Sequence, residues 1–217
     1  MKTNVKAVIF DCDGTLVESE ELALGVLVQS ALSLGLAHDA ALELGMMRGE
    51  AMSVCISFVD ERIKCPLPAE FEAIVRERMA HAFRAHLKPM PGARQVVERL
   101  QLPACVATNG PRSRAELTLG ITGMLPYFEG RIYSAPDVGF YKPDPGLFLF
   151  AAASLNVLPH ECAVVEDSSP GMRAGLAAGM RVYTVRSAHS ISADLAGRVH
   201  VLDRFEDLLD QVASNQR

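Results

Sequence analysis

The stretch FDCDGTLVESE, residues 10–20, places Asp11 and Asp13 two positions apart where an apolar run ends, with Cys12 between them and Gly14 and Thr15 directly after. The run itself, VKAVIF (residues 5–10), is short, β-branched and aromatic, the pattern of a strand buried on both faces. If strand geometry continues through position 13, Asp11 and Asp13 point to one side and Cys12 to the other. Gly14 lets the backbone turn sharply. On the pair alone, an acidic turn or a helix cap is the commoner outcome for two such aspartates. The rest of the chain decides between that and chemistry.

Four further segments match the first strand: ACVAT (104–108), GRIYS (130–134), CAVVE (162–166) and VYTV (182–185). Helical patterns lie between them at 93–100, 113–119, 145–155 and 170–178. Regular alternation of strand and helix predicts an α/β fold, a Rossmann-like, doubly wound parallel sheet. Asp144 ahead of Pro145 reads as a helix start, and Gly179 as a helix stop in a left-handed turn.

Residues 17–87 break the alternation and show helical patterns alone. In FEAIVRERMAHAF, for example, Phe71, Ile74, Val75 and Met79 recur at helical spacing. The exit KPMPG (88–92) suits a hinge. We therefore expect a catalytic core of residues 1–16 and 88–217, with a helical cap of residues 17–87 forming a lid over the end of the first strand. LALGVLVQSALSLGLA (22–37) is apolar, but Gln29, Ser30 and Ser33 interrupt it below the ~18 residues of a membrane span. It reads as a largely buried helix. From about Asp203 a last helix is expected to end in a frayed tail.

Twenty-one basic residues against twenty-six acidic ones give a formal charge of −5, without a basic run, which disfavours nucleic acid as a partner. Five scattered cysteines without CxxC spacing fit a reducing compartment and no structural zinc. The first apolar run is too short for a secretory signal. The expectation is a cytoplasmic monomer with neither a membrane nor a nucleic-acid partner.

In open parallel sheets, ligands bind beyond the carboxyl ends of the strands. Those exits here read DCDGT, TNG, then YKPDP at a distance, and EDS. Asp11, Asp13, Glu166 and Asp167 in one crevice would repel one another unless a cation intervened, and all-oxygen donors suit Mg²⁺. Thr108 offers a hydroxyl, Asn109 and Gly110 amides, and Lys142 a fixed positive charge. That set fits a phosphoryl group, whose spread charge needs positioned donors and cations. Cys12, between two acids, has an unfavourable thiolate and reads as a spacer. The six histidines fall outside these motifs. In the helical segment, Arg48 beside a glycine could read an anionic substrate group, and Glu20 stands at the start of the same segment.

Taken in order, FDCDGT, VATNG, KPDP and VVEDS resemble the four motifs of the haloacid dehalogenase superfamily, in its β-phosphoglucomutase-like and phosphatase branch, whose cap domain sits where the helical insertion lies. The resemblance implies that Asp11 attacks phosphorus and that Asp13 first protonates the leaving alcohol, then activates water. It further implies that Thr108 and Lys142 hold the phosphoryl oxygens with Asn109 assisting. Mg²⁺ would be held by Asp11, the backbone carbonyl of Asp13, and Asp167, with Glu166 as a further ligand or through water. A small phosphorylated metabolite is the implied substrate. The combination of FDCDGTLVESE, TNGP and KPDP is most similar to the bacterial 6-phosphogluconate phosphatase group. Related sugar-phosphate mutases carry a cap histidine where this chain has Ala23 and a lysine where it has Pro111, which favours hydrolysis over isomerisation. A phospho-aspartate receiver is the alternative from another class. It would need its phosphorylated aspartate two strands on, and Asp137 is the candidate offered there.

Overall fold

Ala7, Val8, Ile9 and Phe10 have no solvent exposure at all, which places β1 (Ala7–Phe10) at the centre of a sheet covered on both faces. In the computed structural model, which describes residues 5–48, 51–185 and 191–213, β1 pairs in parallel with both β2 (Ala104–Thr108) and β4 (Cys162–Val165). Outward from these lie β3 (Ile132–Ser134) on one side, and β5 (Arg181–Thr184) and β6 (His200–Val201) on the other. The six-stranded order is β3-β2-β1-β4-β5-β6, and every pairing is parallel. The expected α/β architecture is thus present, and the chain reverses direction across the sheet between β1 and β4, where such folds open a crevice.

Alternation along β1 divides the core. Ala7 and Ile9 join Cys105, Ala107, Cys162, Val164 and Val182 under α8 (Gly146–Ser154) and α9 (Ser169–Ala177), whose Leu147, Phe148, Ala151, Met172 and Ala174 are buried. Phe10 faces the other way, edge-on to Phe128 and stacked on Phe205. On the chain between β1 and β3 lie α5 (Ala93–Arg99) and α6 (Arg112–Ile121), and α7 (Ala135–Val138) follows β3. The last helix, α10 (Asp207–Val212), buries Leu208 and Val212. The tail after it, 214–217, lies outside the described residues.

The chain divides into two compact units, Met1–Val17 with Lys88–Arg217, and Glu18–Leu87. Among the described residues, the regular elements of the second unit are helices: α1 (Glu20–Ser33), α2 (His38–Gly45), α3 (Met52–Arg62) and α4 (Phe71–His86). On α4 the buried stripe is Phe71, Val75, Met79 and Phe83, a strict four-residue repeat. Phe71, Val75 and Met79 are buried as expected, while Ile74 is 40% exposed and falls outside the stripe, which Phe83 extends instead. The apolar α1 is also less buried than its composition suggests. Ala23, Leu27, Ser30 and Ala31 are inside, while Leu22, Leu24, Val26 and Val28 are half-buried. Among the described residues, no helix is long and apolar enough to cross a membrane.

Smaller departures have local causes. Asp144 Oδ1 accepts the Gly146 N–H at 2.7 Å, and Pro145, already at helical dihedrals, accepts the Leu149 N–H at 3.0 Å ahead of α8 proper, as a proline that lacks only a dispensable N–H can. Gly179 ends α9 in the left-handed region, at φ 74°, as expected. β6 has no apolar run to betray it, since both its residues are exposed at the sheet edge.

Candidate active site

The Asp11 N–H donates to Val165 C=O at 2.9 Å, so Asp11 leaves β1 still in register with β4, and Glu166 and Asp167 follow β4 directly beside it. The side chain that joins the two exits is Lys142. Its ammonium donates to Asp11 Oδ1 at 2.5 Å and to Glu166 Oε1 at 2.7 Å, with the lysine side chain only 2% exposed. It also lies 4.9 Å over the Phe148 ring. Asn109 fixes this lysine from both directions: Lys142 N–H donates to Asn109 Oδ1 at 2.9 Å, and Asn109 Nδ2 donates to Lys142 C=O at 3.3 Å. The loops after β2 and before α8 are therefore stitched together by one amide. Thr108, buried, ends β2 and accepts the Gly110 N–H on its hydroxyl at 3.0 Å.

Beyond the lysine that Asp11 and Glu166 share, Glu166 and Asp167 have further partners of their own. Glu166 Oε2 accepts from the Ser168 N–H at 2.7 Å and the Ser168 hydroxyl at 2.9 Å, and Ser168 in turn caps α9 by accepting from Gly171 N–H. A Cβ at Gly171 would overlap the Glu166 carboxylate, so glycine is what lets that carboxylate sit against the helix start. Asp167 Oδ1 accepts from the buried Thr15 hydroxyl at 3.2 Å. Gly14, with φ 81°, carries the turn past Asp167, and a Cβ there would run into the carboxylate.

Asp13 departs from the simple alternation of a strand. Cys12 is fully buried with its Sγ 3.7 Å from Thr118 Oγ1 on α6, yet Asp13 Oδ1 accepts from Arg114 Nη2 of the same helix at 3.0 Å. Strand geometry ends at Phe10, and the bonds from Leu16 and Val17 N–H to Cys12 C=O turn the loop. Asp11 thus faces Lys142, while Asp13 turns one carboxylate oxygen to α6 and the other to the side of Gly110. Arg114 was not among the residues the sequence singled out. One signal was available: Arg112 and Arg114 stand in the first turn of a helix, where the macrodipole favours acids. Arg48 and Glu20 meet each other in the helical unit, Arg48 Nε to Glu20 Oε2 at 2.5 Å, and the neighbouring Gly49 is outside the described residues, as is His189.

Electrostatically the core cluster has an excess of negative charge. Burial works against the Lys142 ammonium, but Asp11 and Glu166 outweigh it and raise the lysine pKa, so it stays charged. Burial drives Asp11 well above the ordinary carboxylate range; Lys142 pulls it back, and Glu166 and Asp167 push it up again. One cation among three carboxylates leaves Asp11 carrying the imbalance. Cys12 is pushed far up by burial and then by Asp13 and Asp11, which makes its thiolate inaccessible.

Among the described residues, no three His, Cys, Asp or Glu side chains converge at metal-holding range. Lys142 occupies the space between Asp11 and Glu166, and Arg114 holds Asp13. The donor set nevertheless suits Mg²⁺, which keeps several waters and commonly takes one or two carboxylates plus substrate phosphate. Asp11 and Asp167, hard oxygen donors whose charges repel across the crevice, are the pair that fits.

Asp137, the receiver candidate, pairs with Arg112 at 2.9 Å on the surface, and the hydrogen bond from Arg112 pulls its pKa down. It stands in α7, apart from the cluster at the ends of β1 and β4.

Residues 5–179 match the family model for haloacid dehalogenase-like hydrolases. The chain is 32% identical to the 6-phosphogluconate phosphatase of Escherichia coli over 182 residues, covering 83% of this chain and 82% of that one. It is 30% identical to a phosphorylated carbohydrates phosphatase of Thermotoga maritima, covering 87% and 88% respectively. Among solved structures, a conserved haloacid dehalogenase-like protein of unknown function from Agrobacterium tumefaciens superposes with a TM-score of 0.78 at 30% identity, over 98% of this chain and 100% of that one.

Proposed function

The chain belongs to the haloacid dehalogenase-like hydrolases, as one of their phosphoric monoester hydrolases, and from that premise we propose that it is a Mg²⁺-dependent phosphatase of small sugar or sugar-acid phosphates that works through an aspartyl phosphate on Asp11. The observation that carries the reading is the buried bridge from Lys142 to Asp11 and Glu166 at the crevice between β1 and β4.

Asp11 is the nucleophile. One of its carboxylate oxygens bonds to phosphorus as the ester P–O bond breaks, and the departing alkoxide takes a proton from Asp13. Water then attacks the acyl phosphate. Asp13 receives the proton from that water, the P–O bond to Asp11 breaks, and inorganic phosphate leaves with both aspartates restored. Lys142 keeps Asp11 aimed and balances the charge gathering on the phosphoryl oxygens; Asn109 keeps Lys142 in place. Thr108, with Gly110 N–H, lines the phosphoryl side. Asp11, the Asp13 backbone carbonyl and Asp167 would hold Mg²⁺, and Glu166 supports the cluster through Lys142. When bound, the ion supplies the positive charge that three carboxylates and one lysine lack.

Residues 1–16 and 88–217 serve as the catalytic core in this reading, and 17–87 as the cap. Arg48 and Glu20 are the cap residues proposed for substrate choice. The sugar-acid preference follows from the Escherichia coli relative, which is named for 6-phosphogluconate.

Phosphate release from a panel of sugar, sugar-acid and simple alkyl phosphates, with Mg²⁺ or with EDTA, tests this. Metal-dependent release strongest on sugar or sugar-acid phosphates is expected. Metal-independent release, or an isomerised sugar phosphate seen by NMR without net phosphate, would overturn it.

A further inference from the structure

We propose that Arg114 is a positioning residue that holds Asp13 in the orientation from which it passes a proton to the leaving oxygen. The inference rests on the reading of Asp13 given above. Its basis is how α6 grips the loop after β1. Arg114 Nη2 takes Asp13 Oδ1 at 3.0 Å, and one helical turn later Thr118 Oγ1 meets Cys12 Sγ at 3.7 Å. Thr118 also donates back to Arg114 C=O at 3.1 Å. Two adjacent loop residues are thus pinned by two residues four apart on one helix.

The other Asp13 oxygen, Oδ2, lies on the side of Gly110, 3.6 Å from where a Cβ at Gly110 would stand, and Thr108 Oγ1 is 3.5 Å from the same point. Arg114 therefore takes the oxygen turned to α6 and sets Oδ2 on the side of the phosphoryl-lining groups. Gly14 and the bonds to Cys12 C=O fix the loop backbone, and the charged hydrogen bond from Arg114 restrains the Asp13 side-chain torsions.

Stability alone is a weak reason for such a pair. Both side chains are 22% exposed, and ion pairs open to solvent contribute little. The chemistry gives a better one. As the proton moves from Asp13 to the ester oxygen, with the P–O bond breaking and the Asp11–P bond forming, a carboxylate forms on Asp13, and the guanidinium already bonded to it stabilises that charge.

The test compares kcat/KM for an alkyl phosphate, whose leaving group needs a proton, with that for p-nitrophenyl phosphate, whose leaving group does not. Both are measured with Mg²⁺ in wild type, Arg114→Met and Arg114→Lys. Positioning predicts that Arg114→Met lowers the alkyl-to-aryl ratio by about tenfold or more, a part of the usual general-acid contribution, and that Arg114→Lys recovers much of it. A ratio that stays at the wild-type value in Arg114→Met, whether both rates fall together or neither does, overturns the inference while leaving the phosphatase reading intact. If wild type releases phosphate from neither compound, it is that reading that fails, and this inference falls with it. Because aryl turnover reports folded enzyme in each variant, a folding defect shows as a common loss and is separated from the ratio.

Discussion

Lys142 and Asp11, 131 positions apart in the chain, meet in a buried ion pair of 2.5 Å, and the same ammonium reaches Glu166 at 2.7 Å. Removing one partner of a buried charge cluster usually costs about 3–5 kcal/mol, because the remaining charges are left uncompensated. Lys142→Met, which keeps the volume and removes the charge, should lower unfolding free energy in denaturant by an amount on that order, reduced to the extent that Asp11 takes up a proton. Turnover should fall by about 10²-fold or more, as for other losses of a positioned charge at a reacting group. A variant within about 1 kcal/mol of wild type, on a scale where single mutations commonly cost that much, and with turnover preserved, would mean that the bridge does not organise the site.

Gly14 supplies a second test of the same crevice. Its left-handed φ of 81° penalises a side chain, by about 1–2 kcal/mol on general grounds, and the added Cβ would collide with the Asp167 carboxylate. Gly14→Ala should therefore unfold at a lower temperature and need more Mg²⁺ for half-maximal activity. An unchanged Mg²⁺ requirement would detach Asp167 from the ion.

How much of this was legible beforehand follows from where each signal is written. The apolar runs at 5–10, 104–108 and 162–166 gave the buried strands directly, because a strand buried on both faces has to be apolar throughout. β6 lay hidden because His200 and Val201 carry no such run. Asp11, Lys142, Glu166 and Asp167 were readable as a set at strand exits, and the structure brings them together. The grip of Arg114 on Asp13 was not readable, since it depends on where the loop leaves strand geometry and on which way α6 turns its first residues. On α4 the pattern read Phe71, Val75 and Met79 correctly but also took in Ile74, which is as apolar as Val75; only tertiary packing leaves it exposed and extends the stripe to Phe83.

The cysteines divide by burial. Cys12, Cys55, Cys105 and Cys162 are buried, while Cys65 is exposed. Burial, with Asp13 and Asp11, drives Cys12 far up; burial and then Glu161 take Cys162 to about 11. A thiol reagent at neutral pH should modify Cys65 rapidly and the other four only after unfolding. Rapid modification of Cys12 in folded protein would contradict the packing of the catalytic loop on Thr118.

Asp194 offers a pH test away from the site. Hydrogen bonds from Arg173 and Ser192 pull its carboxyl down to about 2, below the value of ~3.9 expected in the unfolded chain. A depressed folded pKa means that the pair's contribution is present above the unfolded value and is lost as pH falls through about 2. In Arg173→Ala the Asp194 titration, followed by NMR, should move up toward the unfolded value. Both side chains are about half exposed, so stability at neutral pH should hardly change. A midpoint that stays low in the variant would assign the shift to Ser192 instead.

The central claim is that Asp11 carries the phosphoryl group between two half-reactions. It is tested most directly by acid-quenching the enzyme during turnover of a sugar phosphate with Mg²⁺ and weighing the peptide that contains Asp11. The account predicts one added phosphoryl group on Asp11 in wild type and none in Asp11→Asn, which should also release no phosphate. An unmodified Asp11 peptide throughout turnover, together with undiminished phosphate release by Asp11→Asn, would contradict it.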